Sequence, residues 1–272
     1  MAAPQGAGTT PDPAGARAGR LEQQQVRAMF DRIAGVYDLM NTAMTAGLHH
    51  RWRARAADLA RVGPGDRVLD VATGTGDLAI ELARRVGPEG AVIGGDFSEA
   101  MLERARAKAA RLDAAARPRL EWLDAMTLPY DDDTFDAATV GFGARNFEQL
   151  GQGLSEMARV VRPGGRVVVL EITTPTRAPL AQFYGLWFDR LVPALGAAAA
   201  RASALRGRDG VDGTGTIAQA YTYLPNSVKR FPGPQQLAGE LERAGLAEIS
   251  YVLMAGGIVA IHAGTVARER RT

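Results

Sequence analysis

Arg67-Val-Leu-Asp-Val-Ala-Thr-Gly-Thr-Gly-Asp77 runs from apolar, β-branched residues into two glycines one residue apart, and Asp77-Leu-Ala-Ile-Glu-Leu-Ala83 follows with helical character. The stretch predicts a buried strand, a tight turn and a helix. Gly74 and Gly76 let the backbone turn sharply and approach a ligand closely, and Ala79 is small enough for the helix to pack on the strand. This is the G-x-G-x-x-[GA] pattern of a nucleotide-binding βα turn. Twenty residues after Gly76, Ala91-Val-Ile-Gly-Gly-Asp96 ends a second apolar run in a carboxylate, where a ribose diol would be held. The two features together predict an adenosine site.

Outward from this turn, strands and helices alternate. Predicted strands cover Arg67–Ala72, Ala91–Gly95, Leu120–Leu123, Phe135–Gly141 and Gly165–Glu171. Predicted helices cover Asp77–Val86, a segment capped by Ser98 and running to Leu112, Phe147–Val161, and Gly233–Ala244 with Gly245 as its stop. Glu248–Met254 and Gly256–Ala263 read as an antiparallel hairpin. The fold class is therefore α/β: a Rossmann-like, seven-stranded, mostly parallel sheet, helices on both faces, and a C-terminal antiparallel hairpin. Ligands then belong at the carboxyl ends of the strands, at the switch point near the first one. Ahead of the core, Val26, Met29, Phe30, Ile33 and Tyr37 recur at helical spacing, and His49–Ala60 forms a further helix. Residues 1–20 read as a disordered tail, 21–62 as an N-terminal helical lid, 63–264 as the main domain with an insertion at about 175–232, and 265–272 as a second tail.

The chain has 272 residues, 46% of them hydrophobic and 23% charged, which is ordinary for one soluble α/β domain. No apolar run approaches the roughly 20 residues that span a bilayer, and the first residues lack the apolar core of a secretory signal. There are no cysteines, which excludes disulfides, thiolate metal sites and a Cys nucleophile. Three histidines without cysteines offer no metal-ligand spacing, so no metal is expected. A net charge of +2 is too mild to indicate nucleic-acid binding.

Further strand ends carry candidate residues. Asp124-Ala125 follows the third strand and could reach an adenine edge, although Asp124 reads as readily as a loop or cap carboxylate. Gly141-Phe-Gly-Ala-Arg-Asn146 follows the fourth, and two glycines at a strand's carboxyl end suggest close backbone approach to a ligand. Arg162-Pro-Gly-Gly165 leads into the most apolar strand. No second βαβαβ half is present, which argues against a two-domain nicotinamide dehydrogenase.

The arrangement resembles the class I S-adenosylmethionine-dependent methyltransferases. Two longer strings resemble the signatures of the ubiquinone/menaquinone biosynthesis C-methyltransferases: Tyr37-Asp-Leu-Met-Asn41 with Met44-Thr45, His49 and Trp52, and Arg159-Val-Val-Arg-Pro-Gly-Gly-Arg-Val-Val-Val-Leu-Glu171 with Thr173. Phe142-Gly-Ala-Arg-Asn146, Tyr221-Thr-Tyr-Leu224 with Ser227-Val228 and Phe231-Pro232, and Gly256-Gly-Ile-Val-Ala-Ile-His262 resemble further family segments. Thr45 and Thr173 stand where the family usually has serine, and Pro225-Asn226 departs from its commoner acidic residue.

The resemblance implies S-adenosyl-L-methionine as cofactor and methylation of a ring carbon on a prenylated quinol, demethylmenaquinol as the first reading and a polyprenyl methoxybenzoquinol of ubiquinone biosynthesis as its alternative. It implies that Thr75, Gly74 and Gly76 face the methionine part, that Asp96 binds the ribose, that Asp124 and Ala125 frame the adenine, and that Gly141 contributes backbone. Arg145 would stabilise a phenolate, with a salt bridge to a sheet-edge acid as its plainer role. Asn146 would orient the same hydroxyl or cap the helix from Phe147. Tyr37, Asp38 and Asn41 would fold over the cofactor as part of a lid, with Tyr37 also a candidate to contact the substrate or, more plainly, to pack on the stripe from Val26. His49 would accept a proton or lie on a helix face, Tyr221 and Tyr223 would line the quinol pocket or pack on the sheet, and His262 would be structural. The implied partners are the quinol and, transiently, the membrane surface, through Phe183–Val192; association into a homodimer stays open. The implied location is cytoplasmic, at the inner face of the cell membrane. A methyltransferase for a small soluble acceptor and a non-catalytic nucleotide-binding scaffold are the rival readings.

Overall fold

In a computed structural model of the chain, residues 23–35, 37–175, 182 and 223–267 are described. Three helices come first: α1 (Gln23–Ile33), α2 (Tyr37–Thr45) and α3 (Leu48–Ala60). They are followed by β1 (Arg67–Val71), α4 (Asp77–Val86), β2 (Ala91–Asp96), α5 (Glu99–Ala109), β3 (Arg119–Trp122), β4 (Phe135–Gly141), α6 (Leu150–Val160) and β5 (Val161–Ile172). After a helical stretch at 223–230, α7 (Pro234–Arg243), β6 (Leu246–Met254) and β7 (Val259–Val266) complete the described chain.

The seven strands form one sheet in the order β3-β2-β1-β4-β5-β7-β6. The pairs from β3 to β5 are parallel, and β7 runs antiparallel to both β5 and β6. This is the expected Rossmann-like sheet with its antiparallel end. Chain order reverses between β1 and β4, so their carboxyl ends open the switch-point crevice.

Alternation along the strands builds the two cores. Leu69, Val71, Val140, Val167 and Val169 point to the face covered by α6 and α7, where Leu154, Met157, Leu237 and Leu241 are buried. Val68, Val168 and Leu170 point to the face covered by α3 and α4, where Trp52, Ala56, Leu78 and Leu82 are buried. Each fully buried Leu or Met contributes on the order of 1.5–3 kcal/mol of transfer free energy. Met29 and Ile33 of α1, with Ala34 just after it, close over Met101 of α5, which ties the N-terminal helices to the core.

Several boundaries differ from expectation. Tyr37 starts a separate helix instead of ending the first, because the chain breaks at Ala34-Gly35. Residues 144–146 form a 3₁₀ turn and α6 begins only at Leu150. Phe147 stands outside the helix, and its ring lies against Gly153, where an added Cβ would meet it at 2.5 Å. The final turn is Ala255–Gly257, so the last strand starts at Val259 rather than Gly256. No helix among the described residues is long and apolar enough to cross a membrane. Tyr221, Phe183–Val192 and most of the expected 175–232 insertion lie outside the described residues.

Candidate active site

At the switch point, β1 delivers its chain into the glycine turn. Gly76 caps α4 with φ +83°, a left-handed conformation that costs glycine nothing. Ala72 and Phe142, at the ends of β1 and β4, hold φ of +52° and +61° without that freedom. Strain of this kind costs about 1–3 kcal/mol and gathers where geometry serves a ligand. A Cβ on Gly143 would meet that of Ala72 at 2.5 Å, so the two strand ends touch.

Asp96 closes β2 inside this crevice and is buried. One oxygen accepts the Gly74 N–H at 2.8 Å and the other the Ser98 N–H at 2.9 Å. Burial raises its pKa to about 6, the Asp31 charge adds to the shift, and the backbone donors oppose it. Asp70 on β1 is equally buried and bonds the hydroxyls of Thr73 and Thr139, both at 2.6 Å. Burial raises it too to about 6, against those hydrogen bonds.

Gly74, Thr75, Asp96, Asp124, Ala125 and Gly141 all line one cleft together with Asp70, so the structure brings together every residue the sequence assigned to the cofactor except Gly76, which forms the cap just behind. Asp124 also accepts the Met126 N–H at 2.9 Å, which is the turn-capping role. The side chain of Thr75 is already engaged: it donates to Asp38 of α2 at 2.6 Å and accepts from Lys108 of α5 at 3.1 Å. Lys108 also meets Asp38 at 2.9 Å and Asp77 at 2.5 Å. Burial alone would raise the Asp77 pKa, but Arg53 and Lys108 hold it below the usual carboxylate range. Lys108 gave no sign in the sequence, where it is one more helix lysine.

A second, mainly apolar pocket shares Phe30, Tyr37 and Phe142 with the cleft and includes His49, Arg145 and Tyr223. Its empty space, open solvent included, is about 1470 Å³. Arg145 is buried and pairs with Glu171 at 2.7 Å, and the same Nη1 donates to the Phe142 carbonyl at 2.5 Å. Burial would lower the Arg145 pKa, but Glu171 above all raises it. The salt bridge and the pocket position thus coexist, and the Arg145 Nε is buried with no hydrogen-bond partner. In the sequence Glu171 stands out only as the end of an apolar strand and of the second family-like string, with no site role of its own. Asn146 does not cap a helix from Phe147, since none starts there; its Oδ1 accepts the Tyr223 hydroxyl at 2.9 Å.

The His49 tautomer follows from its neighbours. The Thr45 hydroxyl donates to the Asn41 carbonyl at 2.7 Å, so its oxygen accepts from His49 Nδ1–H at 2.7 Å. Nε2 then carries the lone pair. Burial, then Arg53, lowers the His49 pKa to about 4, leaving a neutral imidazole at pH 7. His49, His50 and Asp77 do place donor atoms within 4.8 Å of one another, a proximity the sequence spacing did not indicate. Asp77 is held there by two cations, Lys108 and Arg53, which disfavours a metal ion. His262 is fully buried in β7 with Nε2 bonded to the Pro234 carbonyl at 2.8 Å, away from both pockets.

The model of the ubiE/COQ5 methyltransferase family matches residues 19–266. A demethylmenaquinone methyltransferase of Desulfitobacterium hafniense is 41% identical over 246 residues, 90% of this chain and 91% of its own. One of Thermus thermophilus is 42% identical over 236 residues, 87% and 99%. A ubiquinone/menaquinone biosynthesis C-methyltransferase of Teredinibacter turnerae is 39% identical over 244 residues, 90% and 92%. Among solved structures, an S-adenosylmethionine-dependent methyltransferase from Aquifex aeolicus aligns at 17% identity and TM-score 0.51, covering 91% of this chain and all of that one. The [4+2]-cyclase SpnF aligns at 19% identity and TM-score 0.59, covering 91% and 97%. These two show a shared fold, and the cyclase shows that the fold alone does not select the reaction. The family match spans nearly the whole described core: the chain belongs to the ubiE/COQ5 methyltransferase family and is an S-adenosylmethionine-dependent C-methyltransferase.

Proposed function

We propose that the enzyme methylates a ring carbon of demethylmenaquinol. The observation that carries this reading is the junction of the two pockets. The cleft with Asp96 and the glycine turn meets the apolar pocket with Arg145 and His49 across Phe30, Tyr37 and Phe142. A donor and an apolar ring held on either side would face each other there. The cleft suits the donor: Asp96 keeps acceptor capacity for a ribose diol, and Asp70 supplies negative charge near a cationic centre. Bound there, S-adenosylmethionine supplies a methyl group on a positively charged sulfur.

The protein's own work is positioning and proton handling. Alignment of nucleophile and methyl is worth on the order of 7 kcal/mol. A phenol titrates near pH 10, so the quinol needs help to become a carbon nucleophile. The orphaned Arg145 N–H is placed to hydrogen-bond the developing phenolate, with Glu171 fixing the guanidinium. Tyr223, anchored by Asn146, lies beside it. After carbon–carbon bond formation the ring proton leaves and aromaticity returns. His49 Nε2, neutral and unprotonated, is the acceptor in this reading.

The N-terminal helices act as a lid over both pockets, with α2 latched to the glycine turn through Asp38. Leu39 and Leu48, 70% and 40% exposed on those helices, supply an apolar rim for a polyprenyl tail and for transient contact with the cytoplasmic membrane surface. The names of the relatives at 41% and 42% identity favour the naphthoquinol ring. Parallel turnover assays on demethylmenaquinol and a polyprenyl methoxybenzoquinol test the choice; preference for the benzoquinol would overturn it.

A further inference from the structure

We propose that Arg53 holds the α-carboxylate of the cofactor's amino-acid part, an inference that rests on reading the cleft as the S-adenosylmethionine site. Arg53 comes from α3, outside the nucleotide-binding turn, and its side chain is only 8% exposed. It lines the cleft with its guanidinium 5.6 Å from the centre of the Phe142 ring. Its Nη1 lies 3.3 Å from Asp77 but makes no hydrogen bond, and it is shielded from solvent. Asp77 divides its charge between two cations, since its other oxygen is bound by Lys108 at 2.5 Å. The site therefore contains a buried guanidinium N–H group that is ion-paired with Asp77 but makes no hydrogen bond, which leaves it able to receive an incoming anion.

Position identifies which anion. Asp77 opens α4 directly after the glycine turn, so Arg53 stands beside that helix N-terminus, where backbone N–H groups also favour negative charge. Asp96 belongs to the neighbouring strand and serves the opposite, ribose end of the ligand. A carboxylate at Arg53 would place the donor's charged tail against α3 and α4, its ribose at Asp96, and its sulfur between them near Phe142.

The test uses two ligands that share the adenosine and the thioether sulfur. S-adenosylhomocysteine carries the amino-acid portion, and 5′-methylthioadenosine lacks it. Calorimetry on the full chain should show Arg53→Met weakening S-adenosylhomocysteine by on the order of 10- to 100-fold, the scale of one charge-assisted hydrogen-bonded contact, while 5′-methylthioadenosine changes less than about 2-fold. Arg53→Lys, which keeps the charge, should recover part of the loss. Equal weakening of both ligands in both variants would mean that Arg53 only supports the fold and would overturn the assignment, as would unchanged binding of both. If the unaltered protein bound neither ligand, the cofactor reading itself would fail, a result distinct from either of these.

Discussion

Asp38 and Thr75, 37 residues apart, meet at 2.6 Å, with the Thr75 hydroxyl donating to the carboxylate. The contact fastens a helix that precedes the core to the turn that defines it. Lys108 binds both partners and makes the contact a three-membered clasp. Asp38 is about half exposed, so solvent screening keeps the clasp to about 1 kcal/mol. Asp38→Ala should therefore leave global stability nearly unchanged. It should speed amide hydrogen exchange across residues 37–45 and raise the Michaelis constant for the cofactor a few-fold. Unchanged exchange in that segment would show that α2 is held elsewhere.

Cofactor affinity should depend on pH through Asp96. Its folded-state pKa of about 6 lies above the ordinary 3.8, so its contribution to folding stability is fully present below 3.8 and is lost as pH rises through 6. Ribose binding needs the ionised form, so affinity should fall as pH drops below about 6. Asp96→Asn should lower affinity at pH 8 by at least about 10-fold and flatten the pH profile between 5 and 7. Asp70 titrates in the same range, and a profile that keeps its shape in Asp96→Asn would move the effect to Asp70.

The buried Arg145–Glu171 pair makes an asymmetric prediction. Removing one partner strands the other charge, at a cost of about 3–5 kcal/mol. Glu171→Ala should lower the thermal midpoint by many degrees. Arg145→Lys keeps the charge but loses the fork and the Nε donor, so it should fold and yet lose turnover more than quinol affinity. A Lys variant with full turnover would remove Arg145 from the chemistry.

His49→Asn should reduce turnover by at least about 100-fold at pH 7 with little change in cofactor affinity. Thr45→Val removes the oxygen that fixes the tautomer and should cost a smaller factor. The His49 pKa is depressed from 6.5 to about 4, so this group's stability contribution is present above 6.5 and is lost as pH falls towards 4. His49→Asn should accordingly lessen the acid sensitivity of folding in that window, and an unaltered acid profile would contradict the burial argument.

The glycine turn, the strand-end carboxylate and the alternation of strands with helices were legible because they rest on local patterns: apolar periodicity, turn chemistry and short spacing. Gly74, Asp96, Asp124 and Gly141 share one cleft for that reason. Lys108, Glu171 and the orphaned Arg53 were not legible as site residues. Each acquires its role from a partner that only the tertiary fold supplies, such as Arg145 for Glu171 at 26 residues' separation. The packing of the Phe147 ring onto Gly153 was hidden for a similar reason, since helical periodicity from Phe147 does not reveal a contact made outside the helix. Phe142 was visible as part of a motif, but its left-handed backbone between two pockets was not.

Methyl transfer to the ring of a prenylated naphthoquinol leaves a label that can be followed atom by atom. The most direct measurement supplies S-adenosylmethionine with a deuterated methyl group, together with demethylmenaquinol in detergent or vesicles, and locates the label by mass spectrometry and NMR. The label should arrive on the unsubstituted ring carbon, with one S-adenosylhomocysteine formed for each methyl transferred. A protein that binds S-adenosylhomocysteine but leaves the quinol unlabelled, or places the label on oxygen, would contradict the account.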